Sequence, residues 1–182
     1  YGIGNKINSI ITMPANGIGS AISTIVGQNI GAGQQERADK AYHYALRMGA
    51  LFLLFFGLIL SRRFISQAMV TFFSTDERVI PLATDFLSLM AFWCWSNAFY
   101  NVTQGLFQGS GHTMITMIVD ASRIWIFRLL TLWVCANMLN MGVESVWYAV
   151  VISNGTSAAI LFALYWTGIW KKSTIKIEKT ES

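Results

Sequence analysis

Three charged side chains, Asp120, Arg123 and Arg128, interrupt an otherwise apolar stretch of this sequence. Charge in such a setting is costly, and it marks ion pathways and relays where it is kept. Asp120 and Arg123 stand three residues apart, close enough on a helix to form a local ion pair. Arg128 lies about two turns from Asp120, so it needs another partner or a water-filled cavity. A structural ion pair and a coupling-ion site are both open readings. Upstream, Asn97, Asn101, Gln104 and Gln108 recur at i, i+4, i+7 and i+11, which places four amides within roughly 60° of one another around a helix. Asn5, Ser9, Thr12, Asn16, Ser20 and Ser23 form a second stripe, which Gly27 continues. Neither face suits acyl chains, and the pair predicts a shared hydrated surface lined by Asn16, Ser20, Asn97, Asn101 and Gln104. The competing reading is that hydroxyls and amides bind helices to one another, as membrane bundles use them together with small residues. It suits the Ser and Thr positions better; an amide on every turn fits a cavity lining better.

The elements that must carry these stripes follow from composition. The chain has 182 residues, 54% hydrophobic and 12% charged. Soluble domains carry about 25% charged residues, so the balance excludes a solvated globular domain and a disordered chain and points to a bilayer protein. Stretches of about 20 apolar residues define five candidate membrane helices: 3–30, with Pro14 and several glycines inside; 44–60; 81–108; 113–139, which holds the three charges; and 146–170. The expected fold is thus an all-α polytopic bundle over residues 1–170, with a polar basic tail at 171–182. In the fifth span Trp147 and Trp166 are 19 residues apart, about 28 Å of helix, which suits an aromatic anchor at each interface. Residues 64–73 are amphipathic and too short to cross, so they are placed in the interface, and Ser74 to Glu77 offer capping groups for the third span.

Five crossings put the two ends on opposite sides of the membrane. One side would hold Arg37, Lys40, Arg47, Lys171, Lys172, Lys176 and Lys179, and the other Lys6, Arg62, Arg63 and Arg78. Seven against four makes the first side cytoplasmic, with the C-terminus inside. The net charge of +4 is thereby read as orientation at an anionic membrane surface and not as nucleic-acid binding. Asp85 reads as a solvated carboxylate at a helix start, and Lys6 as a snorkelling side chain.

Other motifs carry less. Asn101-Val-Thr103 and Asn154-Gly-Thr156 match the glycosylation pattern but fall inside spans. Gly17-Ile-Gly19 lacks the third glycine and the preceding strand of a dinucleotide fingerprint. His43 and His112 have no second ligand at metal spacing, and Cys94 and Cys135 lie in separate apolar runs where a disulfide is not expected. Gly27-Gln-Asn-Ile-Gly31 and Gly105-Leu-Phe-Gln-Gly109 have the spacing of close-packing faces. No nucleophile, base and orienting group stand together, so the sequence argues against an enzyme. Nothing at Tyr1-Gly2-Ile3-Gly4 resembles a signal peptide, and the chain is expected to begin within an element, as a piece of a longer protein does.

Four ordered stretches resemble the C-terminal lobe of the multidrug and toxic compound extrusion (MATE) transporters: Gly27-Gln-Asn-Ile-Gly-Ala-Gly33 with Glu36-Arg37-Ala38, the Phe72 to Ile80 junction, Gln104 to Thr113, and Val146-Trp147-Tyr148-Ala149. The resemblance covers essentially the whole chain. It implies the last five helices of a twelve-helix, two-lobed fold that exports small cationic or amphipathic compounds against Na⁺ or H⁺ by alternating access, with the N-terminal lobe as partner, in the cytoplasmic membrane. It also places Asn97 where some members carry a cation-binding aspartate. An amide can coordinate Na⁺ through its oxygen but supplies neither negative charge nor a titratable proton, so Asn97 would be an auxiliary cation position. Two alternatives stand beside this one. A flippase-like exporter would carry lipid-linked or anionic cargo on Arg123 and Arg128; a membrane remnant or subunit would transport nothing itself.

Overall fold

A computed structural model describes residues 2–73, 78–137, 142 and 144–171. Helix α1 (Gly2–Gly31) is about 45 Å long and ends in a reversal at Gly33, whose φ of 73° is open to glycine at no steric cost. Gly33 N donates to the Ile30 carbonyl at 2.9 Å and Gln34 N to that of Asn29 at 2.7 Å, the paired bonds that close a helix C-terminus. Helix α2 (Gln35–Leu60) returns antiparallel. Its buried stripe is Ala38, Tyr42, Leu46, Gly49, Leu53 and Gly57, while Met48, Leu51, Phe55 and Leu58 point outward. A helix that leaves so many large apolar side chains exposed suits lipid as its solvent.

Helix α3 (Arg63–Phe73) buries only Ser66 and Val70 and leaves Phe64 and Phe72 84% and 85% exposed, as an interfacial helix does. Its Ser66 hydroxyl donates to the Leu60 carbonyl at the end of α2. Residues 74–77, with their expected capping groups, lie outside the described residues.

The span expected at 81–108 is two helices, α4 (Val79–Trp93) and α5 (Trp95–Gly109), bent by 52° at Cys94. No proline or glycine marks the bend. Its causes are tertiary and local: Cys94 Sγ turns to the Leu53 carbonyl at 3.2 Å, and the Ser96 hydroxyl donates back to the Trp93 carbonyl at 2.9 Å, a bond that competes with the helical ladder. Gly57 admits α2 to the elbow, since a Cβ there would lie 2.5 Å from the Ala91 carbonyl oxygen. Helix α5 ends at Gly109, and the chain reverses at Gly111, the second position with positive φ.

Helix α6 (Thr113–Ser122) continues through a π segment (Arg123–Arg128) into α7 (Leu129–Asn137). The widened turn coincides with the two arginines. Helix α8 (Glu144–Trp166) follows, and Gly168, at φ 71°, folds Trp170 back until it is fully buried on the Tyr165 ring. Trp166 is 75% exposed, as an interfacial anchor must be, but Trp147 is not one. It is 6% exposed and packs on Phe86 with ring centroids 5.6 Å apart, because α4 crosses that end of α8.

The described chain thus makes five rods and one short helix, all α-helical in class. Residues 35–60 and 145–166 are each long and apolar enough to cross a membrane, and the bent α4–α5 pair makes a third. Helix α1 carries the Ser/Asn stripe, and the α6–α7 rod carries the internal charges. The main core joins α1, α2, α5 and α8 through Ile22, Val26, Tyr42, Leu106, Phe107 and Leu161.

Candidate functional site

Helices α1 and α5 meet backbone to backbone. A Cβ on Gly105 would lie 2.2 Å from the Gly19 carbonyl oxygen, one on Gly109 2.3 Å from that of Ser23, and one on Gly27 3.3 Å from that of Gly109. Small residues every fourth position on both helices make this seam. Gly31, by contrast, has open space around it, so only the first glycine of the Gly27/Gly31 pair belongs to the seam.

Because the seam is so tight, the longer polar side chains flanking it are pushed to one edge. There Asn16 and Ser20 of α1 face Asn101, Gln104 and Gln108 of α5 around a cavity of about 240 Å³. Four of the five residues expected to line a hydrated surface are brought together in it: Asn16, Ser20, Asn101 and Gln104. The fifth, Asn97, sits half-buried one turn before Asn101, just past the elbow; its backbone carbonyl accepts the Asn101 amide at 2.8 Å. The side chain of Asn5 lies outside the described residues.

Gln104 connects this cavity to the internal charges. Its Nε2 donates to Asp120 Oδ2 at 2.7 Å, and the Tyr100 hydroxyl donates to Oδ1. Arg123 Nη2 stands 3.4 Å from the same Oδ1, while Nη1 donates to Asn154 Oδ1 of α8 at 3.3 Å. The guanidinium carbon lies 4.8 Å from the Tyr100 ring centroid, within reach of a cation–π attraction. The i, i+3 pair expected between Asp120 and Arg123 is therefore present, but as one edge of a five-residue network across α5, the α6–π junction and α8. Arg128 closes the π segment and is half-buried.

Tyr100 and Asn154 were not legible as members of this network. Tyr100 follows Asn97 by three residues and so shares its face, a usable signal; Asn154 is tied to Arg123 only by tertiary packing. A further feature also escapes sequence reasoning. Trp93, Trp95, Phe99, Tyr148 and Phe162 surround a cavity of about 510 Å³ between the elbow and α8, floored by small residues including Gly155. Outside the bundle interior, Asp85 pairs with Arg63 of α3 at 3.3 Å, which ties the interfacial helix to α4.

Comparison with known proteins agrees with this architecture. The MatE family model matches residues 1–134. A probable multidrug resistance protein NorM of Thermotoga maritima is 23% identical over 173 residues, covering 95% of this chain and 37% of that protein. Protein DETOXIFICATION 9 of Arabidopsis thaliana is 26% identical over 163 residues, covering 88% of this chain and 33% of its own length. Among solved structures, the inward-facing conformation of a multidrug resistance MATE family transporter of the MOP superfamily superposes with a TM-score of 0.80 at 18% identity, covering 94% of this chain and 40% of the other. The chain spans about a third of the length of these curated relatives.

Proposed function

The chain belongs to the MatE family, and from that premise we propose that it is part of a secondary antiporter that exports small cationic or amphipathic organic compounds in exchange for Na⁺ or H⁺. Residues 1–170 form a partial lobe of the membrane-embedded unit, and 171–182 a basic tail on the cytoplasmic side. The remaining helices, an N-terminal lobe among them, complete the transport path in the cytoplasmic membrane.

The observation that carries this reading is the junction of the α1–α5 cavity with the Asp120 network through Gln104. A polar face inside a bilayer needs water, a partner or a cargo. Here it adjoins a carboxylate, the group type that accepts a cation. The aromatic cavity beside Tyr148 and Phe162 adds apolar surface suited to amphipathic cargo. An exporter of anionic or lipid-linked cargo would use Arg123 and Arg128 to receive it, and the first of these already faces Asp120.

The test is efflux of a fluorescent cationic dye from cells expressing the full-length protein, with Asn97→Leu and Asn101→Leu variants alongside. The expected result is slower efflux and an altered response to Na⁺ or pH. Unchanged efflux with unchanged cation dependence removes the amide face, and Asn97 as an auxiliary cation position, from the mechanism.

A further inference from the structure

Arg123 is held loosely for a half-buried arginine. Its contacts to Asp120 at 3.4 Å and to Asn154 at 3.3 Å are both at the outer edge of hydrogen-bonding distance, and they come from different amino groups. The tight, forked geometry of a structural arginine–carboxylate pair is absent. Its Nε is buried and has no hydrogen-bond partner, an arrangement that calls for explanation in a low-dielectric interior. Asp120 is bound more closely by two neutral donors, the Tyr100 hydroxyl and the Gln104 amide. The guanidinium is thus shared between an anion and a neutral amide, 4.8 Å from the Tyr100 ring centroid.

We propose that Asp120 is a monovalent-cation site whose resident occupant is Arg123. An incoming cation takes the carboxylate, and Arg123 withdraws onto Asn154. The incoming species is Na⁺ or a proton: Na⁺ would find oxygens on Asp120, Tyr100 and Gln104 once the Gln104 amide turns over, whereas a proton converts the carboxylate to the acid. In both cases the displaced guanidinium keeps its charge and its existing bond to Asn154. The groups facing Asp120 are Tyr100 and Gln104 from α5 and Arg123 from its own rod, with Asn154 of α8 behind the arginine. Among the described side chains the other carboxylates are placed differently: Asp85 is exposed with Arg63, Glu36 is exposed in the first turn of α2, and Asp39 lies near the start of α2 beside His43. The π segment supplies the slack, since a widened turn begins at Arg123 itself. This assignment deepens the antiporter reading and rests on it for its purpose; binding itself is measurable without transport.

The experiment is thermal unfolding of the detergent-purified protein, titrated with NaCl against choline chloride at equal ionic strength, and separately with falling pH in choline chloride. Stabilisation by Na⁺ identifies the metal ion and stabilisation by acid alone identifies the proton. Arg123→Gln removes the resident cation, so half-maximal stabilisation should come at about tenfold lower cation activity or less. Asp120→Asn should abolish the response, and the double variant should behave like Asp120→Asn. A purely structural pair predicts the reverse pattern: both single variants unfold more readily, the double variant recovers stability, and the cation response does not move. Should Arg123→Gln fail to fold, Asn154→Leu removes the alternative acceptor and should weaken cation binding about tenfold. A wild-type response in Asp120→Asn, or no change in both Arg123→Gln and Asn154→Leu, overturns the proposal. Loss of dye efflux with the cation response intact would instead count against the exporter reading.

Discussion

Gly105 of α5 sits so close to Gly19 of α1 that a single methyl group on Gly105 would lie 2.2 Å from the Gly19 carbonyl oxygen. The obstacle is backbone, which cannot rotate aside. Gly105→Val should therefore separate the two helices and destabilise the bundle by about 1–3 kcal/mol or more. Gly155→Ala is the matching control, because its added Cβ meets nothing within 4 Å, and removing a glycine from a helix should be neutral or stabilising by up to about 1 kcal/mol. Thermal unfolding in detergent reads both. Equal shifts for the two variants would mean that the seam does not hold the lobe together.

A second joint ties α2 to the end of α8. The Tyr165 hydroxyl donates to Asp39 Oδ1 at 2.7 Å and lies 3.0 Å from His43 Nε2, while its ring stacks on Tyr42 and Trp170. Tyr165→Phe keeps the stacking and removes the hydroxyl, so its cost should be that of one hydrogen bond to a charged acceptor, about 1.5–3 kcal/mol and at the low end because Asp39 is partly exposed. Combined with Asp39→Asn, the losses should be less than additive. Strict additivity in this double-mutant cycle would show that the pair does not couple.

Gly57 plays a different part, at the elbow. A Cβ there would lie 2.5 Å from the Ala91 carbonyl oxygen and 2.7 Å from Cys94 Sγ. Gly57→Ala should push α2 away from the bend and break the Cys94 contact to the Leu53 carbonyl. Cys94 is buried in the native fold, so thiol labelling is slow there; the variant should label faster without global unfolding. An unchanged labelling rate would place the cause of the 52° bend elsewhere.

These joints show which features a linear sequence can carry. The polar stripes of Asn16 and Ser20 and of Asn101 and Gln104 were legible because periodicity alone sets a helix face, and two faces that both reject lipid must find each other. The Asp120–Arg123 pair was legible for the same local reason. The elbow was not, since Cys94 is no helix breaker and the bend depends on Gly57, 37 residues earlier in the chain. The π segment leaves no mark in composition, and Asn154 joins Arg123 only once α8 has packed. Trp147 misled because its spacing from Trp166 fits a membrane, whereas its burial depends on where α4 crosses.

Exposure in a membrane protein has two meanings, and they can be separated chemically. Ser20 on the cavity edge and Leu51 on the outer face of α2 are both exposed, Leu51 at 67%, yet the first should meet water and the second acyl chains. A charged maleimide reacts with thiolate, and thiolate needs water around it. In native membranes Ser20→Cys should therefore label far faster than Leu51→Cys, with Cys94 and Cys135 remaining slow because both are buried. Adding a transported cationic dye should slow labelling at Ser20→Cys and leave Leu51→Cys unaffected. If Ser20→Cys is as inert as Leu51→Cys, the α1–α5 cavity is dry, and the amides of Asn101 and Gln104 serve only to join helices.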